Sequence, residues 1–94
     1  GSLVVMYTRE TREAMSTAEE ALAREDLQAV AAAVHSVKSS SGYVGAREVV
    51  EVSENILAAC RMGELAKVKP LLMEFGSAFA RAESALAKEA RPAN

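Results

Sequence analysis

The chain has 94 residues and a net charge of −2, which makes one domain with a modest core. Half the residues are hydrophobic but only four are aromatic, and alanine is abundant, so closely packed helices are favoured over a β-sandwich. No basic stripe supports nucleic-acid binding, and no apolar run approaches the ~18 residues of a membrane span. The single cysteine, Cys60, can form neither an internal disulfide nor, with one histidine, a zinc site, and it suits a reducing cytoplasm.

Gly1-Ser2 reads as a cloning scar. The native segment then begins at Leu3 without an initiator Met, as expected of a domain cut from a longer protein. A first helix is predicted from Leu3 to Arg24, with opposite charges at helical spacing in Thr8-Arg9-Glu10-Thr11-Arg12-Glu13. The apolar opening Leu3-Val4-Val5-Met6 is expected to pack on the rest of the protein, the alternative being an exposed partner surface.

Asp26 is a suitable N-cap for a second helix, Leu27 to about Ser41, with Gly42 as its stop. Leu27, Val30, Val34 and Val37 form its buried stripe. Tyr43, in the following turn, is expected to cap the end of the fold by packing.

A third helix is predicted from near Gly45 to Gly63. Its inward stripe is Val49, Val52, Ile56 and Cys60, flanked by Val50 and Leu57. The fourth runs from about Leu65 to Ala90, where Leu65, Val68, Leu72, Phe75, Phe79, Ala82 and Leu86 alternate steps of three and four, the seam of a helix in a bundle. Pro70 should loosen or kink its start. Met6, Met15, Met62 and Met73 read as helix and gap-filling residues, and Arg91-Pro92-Ala93-Asn94 as a frayed end. The short links force neighbours to run antiparallel, so the expected fold is an all-α, up-down-up-down four-helix bundle.

The lone histidine, His35, has four readings in principle: metal ligand, catalytic base, core residue or nucleophile. It stands about 100° from Val34, off the buried stripe, on a face with Gln28, Ala31, Ala32, Lys38, Ser39 and Gly42. No large side chain flanks it on its own helix, so a partner can approach closely. An exposed imidazole is largely unprotonated at neutral pH and is a nucleophile without a dedicated base. Lys38, one turn on, puts a cation where an added phosphate would develop charge. A plain surface histidine with no role fits the same spacing.

The segment His35-Ser36-Val37-Lys38-Ser39-Ser40-Ser41-Gly42-Tyr43-Val44-Gly45-Ala46 resembles the signature of histidine-containing phosphotransfer (HPt) domains: His, any residue, an aliphatic, Lys, Gly, Ser, a small residue, three variable residues, Gly, Ala. Downstream, Arg61-Met62-Gly63-Glu64 resembles the Arg-x-Gly-Asp turn before the family's last helix, and Leu71-Leu72 with Phe75 and Phe79 suits that helix. The likeness covers roughly residues 20 to 86.

The resemblance implies a passive phosphoryl carrier in a multistep two-component relay, not an enzyme. A receiver-domain aspartyl phosphate would give its phosphoryl group to His35 through Nε2, and a second receiver would take it on. Lys38 and Gln28 would stabilise the phosphoryl group. Ala31, Ala32, Ser39 and Gly42 would form the flat docking surface, and Gly45 and Ala46 would let the third helix begin close against the second. The domain would have no cofactor or metal site of its own, the Mg²⁺ and catalytic groups belonging to the receiver.

Receiver domains, one of them in the same polypeptide if this is part of a hybrid sensor kinase, would be its partners. The domain itself would be monomeric and cytoplasmic, whether free or tethered at the inner face of a membrane. Ser39 departs from the family, which usually has Gly there; the small side chain is expected to be tolerated or to narrow the choice of partner. The alternative is an HPt-like bundle that binds proteins without being phosphorylated. An enzyme reading lacks any catalytic partner for His35.

Overall fold

A computed structural model describes residues 2–89. Gly1 of the expected scar and the expected frayed end, Arg91-Pro92-Ala93-Asn94, lie outside the described residues, whereas Ser2 opens the first helix. Four helices follow in order: α1 Ser2–Ala23, α2 Leu27–Val44, α3 Arg47–Arg61 and α4 Leu65–Glu89. Each packs on its neighbour in sequence through a link of two or three residues, and α4 returns against α1. The result is the antiparallel four-helix bundle that the periodicity predicts, a rod 49 Å long and 18 Å across.

Three helices end in the same hydrogen-bonded device. After α1, the Asp26 N–H donates to Ala21 O and the Glu25 N–H to Leu22 O. After α2, Ala46 donates to Ser41 O and Gly45 to Gly42 O; after α3, Glu64 donates to Ala59 O and Gly63 to Cys60 O. This is the Schellman arrangement, which needs a left-handed residue just past the helix. Gly45 and Gly63 supply it at φ +78° and +70°, and Glu25 supplies it at +57° despite its side chain. Asp26 serves twice, because its Oδ1 also accepts from the Ala29 N–H as the N-cap of α2.

The core is built from the predicted stripes. Val30, Val34 and Val37 of α2, Val49, Val52 and Ile56 of α3, and Val68, Leu72, Phe75 and Phe79 of α4 are buried. Burial of such a side chain contributes roughly 1.5–3 kcal/mol. From α1 come Tyr7, Ala18 and Ala21, with the Tyr7 ring edge-on to Phe79 at 6.0 Å. Ion pairs tie the outside: Arg12 to Glu83 at 2.6 Å, and a two-pronged contact from Arg81 to Glu48 at 2.7 and 3.0 Å, which holds the Glu48 carboxyl below its ordinary range.

Several expectations need correction. α2 does not stop at Ser41; it passes through Gly42 and ends at Val44, because the left-handed residue is Gly45. Tyr43 therefore lies on a helix, turned outward and 80% exposed, and caps nothing. On α3, Ser53 and Ala59 join Val49, Val52 and Ile56 on the inward side, while Cys60 is only half-buried beside the core. Four consecutive apolar residues cannot share one helix face. Accordingly Tyr7 takes the inner side of α1, Val4 is half-buried, and Leu3, Val5 and Met6 remain exposed. Of the methionines only Met15 packs on the core, whereas Met62 and Met73 are also exposed. α4 continues through Pro70; Ala66 and Pro70 face solvent, where water can satisfy the carbonyl that Pro70 cannot bond.

Candidate functional site

His35 sits midway along α2, exposed, one helical step from the buried Val34. Burial of Val30, Val34 and Val37 against the other helices fixes the rotation of α2 and so turns His35 outward. No hydrogen bond or ion pair engages the imidazole among the described residues, and no group of three or more His, Cys, Asp or Glu residues there is arranged to hold a metal.

The residues expected around it do share its face. Gln28, Ala32, Ser39 and Gly42 are exposed, and Ala31 and Lys38 are half-buried. Four of these six residues are Ala, Ser or Gly, so few long side chains surround the imidazole on α2. On the side toward α3 the surface dips into an open groove lined by Leu27, Gln28, Ala31, His35, Leu57 and Arg61, with Cys60 beside them. Burial raises the Cys60 thiol pKa, which keeps it protonated.

Two residues of this region were not singled out from the sequence as part of the site. Glu54 of α3 lies with Oε2 3.6 Å from Lys38 Nζ. Arg61, read only as part of a turn, lines the groove with His35. The signal for both is the tight turn. Lys38 and Glu54 stand eight residues either side of Ala46, Ala31 and Arg61 fifteen, and His35 and Leu57 eleven. In an antiparallel pair such equidistant positions meet.

Gly45 and Ala46 play separate parts. Ala46 is buried in the turn between α2 and α3. Gly45 does not serve by leaving room, since a Cβ there meets nothing within 4 Å; what it supplies is positive φ.

Chemically, the site offers an accessible nitrogen nucleophile on a rigid helix, a cation one turn away, and no carboxylate among the groove-lining residues. It can accept an electrophilic group delivered by a partner. No described helix is long and apolar enough to cross a membrane. No curated protein and no solved structure matches the chain significantly. The family model of the Hpt domain matches residues 2–90, nearly the whole chain. Hpt domains are phosphocarrier modules of histidine phosphotransfer in two-component phosphorelays, and they interact with receiver domains. A four-helix bundle matched over that span belongs to the Hpt domain family.

Proposed function

We propose that this domain relays a phosphoryl group between receiver-domain aspartates, with His35 Nε2 as the acceptor, as the HPt part of a hybrid sensor kinase. The observation that carries the reading is the placement of the chain's single histidine: exposed, unengaged and at mid-helix on a face of small residues. The imidazole nitrogen attacks the aspartyl phosphate of a docked receiver. The P–O bond to the aspartate breaks, a P–N bond forms, and the imidazole proton is released. Lys38 neutralises the bound phosphoryl group and Gln28 donates to it. Ala31, Ala32, Ser39 and Gly42 let the receiver's acidic pocket and its Mg²⁺ come within bonding distance. The return reaction to a second receiver uses the same face.

The test is transfer from a phosphorylated receiver domain with Mg²⁺, comparing the wild type with His35→Gln. Acid-labile label on the wild type alone is expected. Receiver binding that survives His35→Gln, with no label on either protein, would identify a binding-only bundle instead.

A further inference from the structure

We propose that Glu54 is a positioning residue of the carrier: it holds Lys38 while His35 is bare and surrenders it when His35 carries a phosphoryl group. This rests on the reading of His35 as the acceptor. The Lys38 ammonium faces two anionic destinations. One is present throughout: Glu54 Oε2, 3.6 Å away on α3, with both side chains partly open to solvent. The other arises only on phosphorylation. His35 and Lys38 are three residues apart on one face of α2, a spacing that puts their Cβ atoms ~5–6 Å apart. The flexible lysine stem can therefore turn from α3 to the phosphoryl oxygens without any backbone change.

The contact with Glu54 is loose, in contrast to the 2.6–2.7 Å pairs that tie α1 and α3 to α4. A loose contact is exchangeable. A phosphoryl group carrying about −1.5 to −2 charges attracts the ammonium more strongly than a single carboxylate does. Glu54 exerts its effect through Lys38, the cation it contacts. By stabilising the bare state, Glu54 shifts the equilibrium away from phosphohistidine and makes the phosphoryl group easier to pass on. Exposed pairs of this kind alter equilibria by about two- to fivefold.

Phosphoramidate tests this without any receiver. Its P–N bond breaks, the phosphoryl group forms a new P–N bond to His35 Nε2, and the imidazole proton leaves with ammonia as ammonium. The readout is the phosphoramidate-to-ammonium ratio at which half of His35 is phosphorylated, followed by ³¹P NMR, so each variant has its own measurable midpoint. Glu54→Gln should lower that midpoint two- to fivefold, with helix content by circular dichroism unchanged. In a Lys38→Ala background, Glu54→Gln should not move it.

An unchanged midpoint in Glu54→Gln overturns the proposal. So does an equal shift with and without Lys38, which would mean that the carboxylate repels the phosphoryl group directly. Failure of the wild type to be phosphorylated on His35 at any ratio is a different result, and removes the acceptor reading itself.

Discussion

The hydroxyls of Tyr7 and Ser41 meet 2.7 Å apart in the buried contact between α1 and the last turns of α2. They are 34 positions apart in sequence, so the bond fixes how α1 is set along α2. Tyr7→Phe removes one partner and leaves the Ser41 hydroxyl buried and unpaired, which costs about 1–3 kcal/mol. Thermal unfolding should show a midpoint lower by roughly 4–8 °C per kcal/mol. Ser41→Ala added to Tyr7→Phe should cost little more, because the two changes break the same bond.

Tyr7 also gives the fold an alkaline limit. Burial raises its phenol pKa above the ordinary value of 10.0, with the Ser41 hydrogen bond opposing that rise in part. Above pH 10 the unfolded chain sheds this proton while the native state retains it, so stability falls as pH rises toward the raised native value. In urea titrations across this range, wild-type stability should decline with pH more steeply than that of Tyr7→Phe. Parallel curves for the two proteins would contradict this.

The three Schellman ends predict opposite signs for similar substitutions. Gly45→Ala meets no steric neighbour, yet should lose about 1 kcal/mol because a Cβ disfavours φ of +78°. Glu25 already bears that cost at φ +57°, so Glu25→Gly should gain about 0.5–1 kcal/mol. Denaturant midpoints measured side by side decide both. A stabilising Gly45→Ala would mean that α2 does not end where it is described to end.

Ser53 is a fully buried hydroxyl on α3 with no hydrogen-bond partner among the described residues. Its desolvation is uncompensated. Ser53→Ala should therefore stabilise the domain by about 0.5–1 kcal/mol, helped by the higher helix propensity of Ala. A loss of stability would show that the hydroxyl is satisfied in solution.

Ser39 is exposed on the His35 face. Ser39→Gly, which restores the residue usual in the family, should cost roughly 0.5 kcal/mol of stability in mid-helix. Transfer from a phosphorylated receiver should stay within about twofold of wild type, as for most surface changes. A rise of tenfold or more would identify Ser39 as a steric filter on partners.

The bundle was legible because the stripes of α2 and α4 alternate steps of three and four without interruption, and only helices use that period. The face of His35 followed from the same stripe, since burial of Val34 and Val37 leaves no other orientation for it. Helix ends were harder. Gly42 and Gly45 both look like stops, and only the backbone angle separates them; Tyr43 was misplaced as a result. The inner face of α3 was ambiguous too. After Ile56, steps of three and four lead to Ala59 and Cys60, and the choice depends on how α2 and α4 flank the helix. Glu54 and Arg61 belong to the site through the α2–α3 register, which required knowing that the turn centres on Ala46 and not on Tyr43.

His35 stands near the middle of an 18-residue helix, about 13 Å from either end at 1.5 Å per residue. A visitor must lie broadside against the rod, and there is one broadside with one imidazole. In the proposed relay, donor and acceptor cannot be seated together; each must depart before the other arrives. Residence time on this single berth then caps the traffic through the pathway. Tight binding would jam the carrier, so modest affinity and rapid release are what this geometry favours.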